Sequence, residues 1–281
     1  MINYYLLTKP GIILGNLITV GAGFLLASKG EIHLGLFFAV MIGLGFIMAS
    51  GCVFNNYIDR KVDKKMERTK NRALVTGLIS GRNAIIFASI LGLIGECILL
   101  KYTNPLTTGI AGIGFFVYVC LYSIWKCRTV YGTAIGSIAG AIPPVVGYCA
   151  VSNQVDPAAL ILFFMMVLWQ MPHFFSIALY RLKDYSAAEI PVLPLAKGIP
   201  RTKVHMLIYI IGFILTSTML TLFNYTGYIY LTVAVGIGLA WLILSLKGFK
   251  SENNELWGRR MFQVSLILII ATCLAIPFDM K

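Results

Sequence analysis

Acidic residues are scarce in this chain of 281 residues. Asp and Glu together number 11, against 23 Lys and Arg, and charged residues make up only 12% of the sequence. Soluble domains carry about 25% charged residues, whereas this chain is 58% hydrophobic and has a mean hydropathy of +0.83. The composition excludes an ordinary soluble domain and predicts an all-α polytopic membrane protein.

Several familiar site motifs are also missing. There is no GxxxxGK[ST] loop for a soluble nucleotide, and the six cysteines form no CxxC pair. The cysteines are therefore expected to pack as small apolar residues rather than to form disulfides or a metal cluster. Neither a transit segment rich in Arg and Ser nor an A-x-A-like cleavage site is present near the first apolar run, so no cleavable signal is expected.

Nine apolar runs are each long enough to cross a bilayer, which takes about 20 residues. These runs, numbered here as spans 1 to 9, are expected at residues 10–28, 34–57, 83–100, 105–125, 131–151, 157–179, 204–224, 227–246 and 257–278. The chain is expected to form a single transmembrane domain, residues 1–281, with these helices around a central cavity.

The basic residues are distributed unevenly about these spans. Of the 23 Lys and Arg, 20 fall beside the N-terminus or in the loops after spans 2, 4, 6 and 8, which share one membrane side. Basic loops stay in the cytoplasm, so we expect a cytoplasmic N-terminus and a C-terminus on the opposite side, in the bacterial inner membrane. The net charge of +12 is mostly this topology signal, and no nucleic-acid binding is expected.

An acidic stripe is expected where span 2 leaves the membrane. Asn55, Asp59 and Asp63 recur every four residues, and each such step turns only about 40° around a helix, so their side chains share one face. The carboxylates would lie near the negative end of the helix dipole, where a positive partner is favourable. Two interpretations are open: a site for one hard cation, or a solvated charged helix end neutralised by neighbouring Lys and Arg.

Span 6 ends in a comparable way. Asp184 lies four spans after Asp59 at the equivalent helix end, as a duplicated four-helix unit, spans 1–4 and 5–8 with a ninth added, would produce. The glycines of span 5 at 132, 136 and 140 predict close helix packing. Pro143-Pro144 and Pro172 are expected to break or bend spans 5 and 6 and to shape a kinked, polar-lined cavity.

Acids at an inner membrane surface beside many cations are suited to holding a diphosphate through Mg²⁺. Mg²⁺ takes a few carboxylates together with phosphate oxygens, while Arg and Lys neutralise the remaining charge. A lipid diphosphate fits best, with its tail in the bilayer. The flanking cations are Arg68, Lys70, Arg72, Lys126, Arg128, Arg181 and Lys183.

The stripe and the basic segment Arg68-Thr-Lys-Asn-Arg72 resemble the first aspartate-rich motif of the UbiA superfamily of intramembrane prenyltransferases. Further segments resemble the branch of that superfamily that farnesylates haem. These are Thr8-Lys-Pro-Gly11, Cys52-Val-Phe-Asn-Asn-Tyr57, Met66-Glu-Arg-Thr-Lys-Asn-Arg72, Gly140-Ala-Ile-Pro-Pro144, Trp169-Gln-Met-Pro-His173, Lys183-Asp-Tyr185 and Ile190-Pro-Val-Leu-Pro194. The resemblance covers nearly the whole chain.

The resemblance implies a reaction in which farnesyl diphosphate alkylates a vinyl group of haem b and water adds. Haem b would be a substrate and Mg²⁺ the cofactor, and partners would include the lipid bilayer and terminal oxidase assembly or haem-handling proteins. Asn55, Asp59 and Asp63 would bind Mg²⁺-diphosphate, with Arg68, Lys70 and Arg72 on the phosphates. The second motif departs from the superfamily's DxxxD, since Ala188 and then Glu189 follow Asp184. Asp184 either binds metal beside a phosphate-binding Lys183 or only pairs with Lys183 and Arg181.

Other side chains carry two interpretations each. Tyr118 and Tyr122 shelter an allylic cation or anchor a helix at the interface, and His173 contacts haem iron or forms a hydrogen bond inside the bundle. His205 serves similarly or is interfacial, and Asn16 lines the cavity or bonds between helices. Two other functions also stay open: prenylation of an aromatic quinone precursor, and membrane transport, against which the clustering of acids at one face argues.

Overall fold

The computed structural model describes residues 2–281, and in that part of the chain nine helices are long and apolar enough to cross a membrane. The all-α class and the nine spans are confirmed. In order, the spans are Pro10–Ser28, Leu34–Asp63, Gly81–Tyr102, Pro105–Trp125, Gly132–Ser152, Pro157–Tyr180, Ile199–Leu222, Tyr228–Lys250 and Asn254–Asp279. Large apolar side chains such as Leu93, Leu222 and Phe278 point outward. The chain is therefore a multi-pass membrane protein.

Local sequence explains where the spans begin. Spans 1, 4 and 6 start with a proline in the first turn, where its missing N–H costs nothing. Side-chain oxygens cap the N-termini of four spans, which satisfies backbone N–H groups that the helix itself leaves free. The capping residues are Ser80, Asn104, Asp156 and Asn253.

Glycines bring particular helix backbones close together. A Cβ placed on Gly95 of span 3 would lie 2.9 Å from the backbone nitrogen of Ile47 in span 2, and one on Gly23 of span 1 would overlap the carbonyl of Pro144 in span 5. Such contacts are available only without a side chain. Spans 1 and 5 and spans 2 and 3 are consequently packed backbone to backbone.

Of the break or bend expected at the intramembrane prolines, the break does not occur. Span 5 is a continuous helix through Pro143 and Pro144, and span 6 is continuous through Pro172. Close packing supports the first pair, because Gly23 leaves room for the Pro144 carbonyl. In span 6, Ser176 donates a hydrogen bond to the Pro172 carbonyl at 2.7 Å. Both helices therefore continue through their prolines.

The loops after spans 2 and 6 pack against each other on the basic side. Lys65 pairs with Glu189 at 2.9 Å, and the backbone N–H of Glu67 donates to an Asp184 carboxylate oxygen at 3.2 Å. Met66 and Ile190 belong to a small buried apolar cluster between the two segments. This contact between the two loops brings the acidic ends of spans 2 and 6, which the sequence predicts, to the same region of the protein.

Candidate active site

The acidic stripe lies on one buried face of the last two turns of span 2. Asn55, Asp59 and Asp63 are only 3%, 7% and 5% exposed, although two of them are carboxylates. Buried carboxylates are costly unless a cation or several hydrogen bonds compensate them. Their burial rules out the solvated helix end considered above.

Each member of the stripe is met by a cation from a different part of the chain. Lys9, which precedes span 1, donates to Asn55 Oδ1 at 2.7 Å. Lys126, which follows span 4, pairs with Asp59 Oδ2. Arg72, from the loop after span 2, pairs with Asp63 Oδ2 at 2.6 Å. Three segments far apart in sequence therefore deliver three positive charges to about 12 Å of helix length, roughly two turns.

Lys9 is the functional side chain that the residue pattern did not single out. It adopts a left-handed backbone conformation, φ 54° and ψ 62°, immediately before Pro10, a conformation that is unfavourable for a residue with a Cβ. Burial lowers the pKa of its ammonium to about 8, so it is still mostly protonated at neutral pH. Its only sequence signal is its place in the Thr8-Lys-Pro-Gly11 segment.

A π-helical turn arranges the aromatic side of the site. Val117–Tyr122 forms this turn inside span 4, and Ser123 Oγ donates to the Tyr118 carbonyl at 3.1 Å while accepting from Asn55 Nδ2 at 3.2 Å. The rings of Tyr118 and Tyr122 stack with centroids 5.6 Å apart. Lys126 Nζ lies 5.2 Å from the Tyr122 ring. The two tyrosines are therefore part of the site rather than anchors at the lipid interface.

Asp184 has a different partner from either predicted one. Its carboxylate accepts from the Glu67 backbone rather than pairing with Lys183 or Arg181, because the two loops dock directly. Burial raises the pKa of the adjacent Tyr185 to about 12, so its hydroxyl stays protonated at neutral pH. Arg68, Arg128 and Lys183 are exposed around this region, and Lys70 pairs with Glu67 at 2.6 Å.

His173 sits in an aromatic stack between spans 6 and 9. Its ring lies 4.7 Å from Trp169 and 4.9 Å from Phe262, measured between centroids. Its Nδ1 is 2.7 Å from Ser265 Oγ, and Trp169 Nε1 donates to the Ser265 carbonyl at 2.9 Å. The hydrogen bond inside the bundle is thus present, and Nε2 is the ring nitrogen left for a ligand.

Two other candidates lie apart from this cluster. Asn16 Nδ2 donates to the Ile12 carbonyl, one turn earlier in the same helix, at 2.8 Å. The predicted hydrogen bond to another helix is therefore wrong. His205 stacks near Tyr209 with centroids 6.4 Å apart. Neither forms a hydrogen bond to the stripe or its cations.

Comparison with known proteins gives consistent matches. The model of the UbiA prenyltransferase family matches residues 16–267. The chain is 63% identical over 281 residues, covering 100% of this chain and 99% of the relative, to the protoheme IX farnesyltransferase of Protochlamydia amoebophila. Among solved structures, a digeranylgeranylglyceryl phosphate synthase has a TM-score of 0.80 at 20% identity, covering 98% of this chain and 96% of the other. A UbiA homolog from Archaeoglobus fulgidus bound to GPP and Mg²⁺ has a TM-score of 0.72 at 18% identity. The match covers 98% of this chain and 99% of the other.

Proposed function

This chain belongs to the UbiA prenyltransferase family, and on that premise we propose that it transfers a farnesyl group from farnesyl diphosphate to a vinyl group of haem b. Water adds in the same reaction and gives haem O. The observation that carries the proposal is the buried Asn55/Asp59/Asp63 stripe with its three cations. A farnesyl tail would lie among the apolar spans and its diphosphate at the stripe. We place the basic loops, and with them this site, on the cytoplasmic side of the inner membrane.

The stripe has the donors that Mg²⁺ prefers. Asp59 and Asp63 each use one oxygen, Oδ2, in their ion pairs, which leaves Oδ1 of each for a cation. Asn55 would add its amide oxygen once Lys9, which now donates to that oxygen, turns to a phosphate. Mg²⁺ commonly binds through one or two carboxylates plus substrate phosphates and waters. Among residues 2–281 no ready-made group of three or more His, Cys, Asp or Glu side chains exists, so the substrate's phosphates would complete the coordination. When bound, Mg²⁺ supplies positive charge to the leaving diphosphate.

Lys126, Arg72 and Lys9 are the cations placed to bind the phosphates themselves. As the C–O bond of farnesyl diphosphate breaks, negative charge grows on the leaving group, so these contacts strengthen towards the transition state. Each cation would exchange its present acceptor on span 2 for a phosphate oxygen. Arg68, Lys70, Arg128 and Lys183 form a more exposed outer ring, and Asp184 positions the first loop through Glu67.

Tyr118 and Tyr122 are placed to shelter the allylic cation that remains. Their stacked rings stand beside Lys126 and hence next to the diphosphate end. A ring face attracts a desolvated cation by about 0.5 to 2 kcal/mol. For haem b, we propose that Nε2 of His173 faces the iron, with Ser265 fixing the ring through Nδ1.

Replacing Lys9 with methionine is expected to raise KM for farnesyl diphosphate about tenfold to a hundredfold, because a hydrogen bond to a charged group is worth about 1.5–3 kcal/mol. Steady-state kinetics in detergent measure this. Lys29 is the matched control, since it lies at the other end of span 1 and is also left-handed, with φ 47°. Lys29→Met is expected to leave KM unchanged, and equal effects of the two variants would remove Lys9 from the site.

Haem extraction from cells that express the chain tests the function as a whole. Mass spectrometry of the extract is expected to show haem b increased by one farnesyl group and one water. Cells with an empty vector are the control. An unmodified haem pool alongside a prenylated aromatic acid would instead assign the chain to quinone-precursor prenylation.

A further inference from the structure

Gln170 is a buried amide in the middle of span 6 with an unused donor. Its side chain is 4% exposed, and its Nε2 has no hydrogen-bond partner among the described residues. An unpaired amide inside a membrane bundle is costly, and polar side chains there usually serve a function. Nothing assigned to the diphosphate site explains why this position carries an amide.

The glycines of span 5 show where this amide lies. A Cβ on Gly132 would meet Lys126, and one on Gly136 would lie 2.9 Å from the Tyr122 ring. A Cβ on Gly140 would overlap the Gln170 amide, with its Cδ and Nε2 both at 2.8 Å. Because four residues of helix rise about 6 Å, these three side chains follow one another along nearly one face of span 5.

Lys126 contacts span 5 at Gly132 and Gln170 contacts it at Gly140. Gln170 therefore lies eight helical residues, or about 12 Å, further along span 5 and deeper in the membrane than Lys126. Lys126 binds Asp59 at the diphosphate end, and Tyr122 follows it. Gln170 therefore lies about one turn deeper in the membrane than Tyr122 and roughly level with Tyr118, on the membrane side of the diphosphate end.

The proposed reaction needs a polar group at about this depth. Farnesyl C1 leaves the diphosphate and bonds to the terminal vinyl carbon of haem b, which leaves a cation on the inner vinyl carbon. A water oxygen then forms the C–O bond, and the water's proton passes to the released diphosphate. If no water is held there, the same cation loses a proton from the adjacent carbon and becomes an alkene.

We propose that the side-chain amide of Gln170 holds the water molecule that adds to the haem vinyl group. The proposal rests on the farnesyl transfer proposed above. An amide suits the task because it can donate to the water oxygen through Nε2 and accept a water hydrogen through Oε1. Gln170 is thereby a determinant of product identity, and Gly140 is the residue that makes room for it.

The test measures the ratio of hydroxylated to alkene product by mass spectrometry, in ¹⁸O-labelled water. The wild type is expected to give hydroxylated product that carries ¹⁸O. Gln170→Met is expected to shift the ratio about tenfold towards the alkene, as loss of a hydrogen bond of about 1.4 kcal/mol would. Gly140→Ala is expected to shift it in the same direction, because the new methyl group displaces the amide, whereas Gln170→Glu, which keeps a donor and an acceptor when protonated, retains the hydroxyl.

Gln263→Met is the matched control, since Gln263 lies on the exposed face of span 9, and its ratio is expected to equal that of the wild type. Unchanged ratios in both Gln170→Met and Gly140→Ala overturn the inference. If Gln170→Met yields too little product to score, the ratio from Gly140→Ala decides. A wild type that makes no farnesylated haem would instead contradict the proposed function, which separates the two failures.

Discussion

Replacing Asp59 with asparagine is expected to lower kcat/KM for farnesyl diphosphate about a thousandfold, equivalent to about 4 kcal/mol of transition-state stabilisation. The substitution removes one of two carboxylates from the proposed Mg²⁺ site and leaves the side-chain shape nearly unchanged. It also leaves the Lys126 ammonium without its partner. Turnover of purified enzyme with haem b and farnesyl diphosphate measures the effect.

The loss of a buried ion pair also destabilises a protein, by about 3–5 kcal/mol when one partner is removed. The double variant Asp59→Asn/Lys126→Met separates the two effects, because it removes both charges. Thermal stability is expected to recover towards the wild type, while activity stays low. Recovery of activity together with stability would show that the pair has only a structural role. Glu255→Gln, at an exposed ion pair with Arg259, is the control and is expected to change turnover less than about twofold.

Removal of divalent cations with a chelator is expected to abolish turnover. Without the metal, Lys9, Arg72 and Lys126 must neutralise both the two carboxylates of span 2 and the diphosphate. The leaving group therefore loses most of its stabilisation. Mn²⁺ is expected to restore activity. Ca²⁺ is expected to restore little, because it prefers more ligands at longer distances than Mg²⁺.

A binding experiment separates a protein-held ion from one carried by the substrate alone. Asp63→Asn is expected to raise the Mg²⁺ concentration at half-maximal turnover about tenfold or more, whereas Glu255→Gln leaves it unchanged. Turnover that is insensitive to chelation, or the same Mg²⁺ requirement in Asp63→Asn as in the wild type, would contradict the proposed ligands.

The overall architecture was predictable because membrane insertion imposes strong constraints on composition. Each span needs about 20 apolar residues, and the asymmetry of Lys and Arg supports an odd number of spans. The structure places span 7 from Ile199 rather than residue 204, and extends span 2 to Asp63. Both extensions add polar helical turns, which hydropathy alone does not detect.

The acidic stripe was predictable because a helix fixes the spacing of side chains on one face. Arg72 and Lys126 were among the expected cations, and the structure places both on the stripe. Their individual partners were not predictable, since they depend on how spans 2 and 4 pack. Lys9 was missed as a site residue because its role depends on a left-handed turn and on the packing of span 1 near Asn55.

Three further features lay beyond sequence patterns. The π-helical turn at Val117–Tyr122 follows no residue spacing that we used. The continuity of spans 5 and 6 through Pro143, Pro144 and Pro172 followed from no residue pattern either. The internal duplication of spans 1–4 and 5–8 stays a prediction.

The most direct test of the central claim uses Mn²⁺ in place of Mg²⁺ and a non-reactive farnesyl diphosphate analogue. Electron–nuclear double resonance of the bound Mn²⁺ detects ³¹P nuclei that are coordinated to the metal. The wild type is expected to show ³¹P coupling from a protein-bound ion, and Asp59→Asn and Asp63→Asn are expected to lose both the bound ion and the coupling. Equal Mn²⁺ binding and equal ³¹P coupling in all three proteins would show that the acidic stripe of span 2 does not hold the metal.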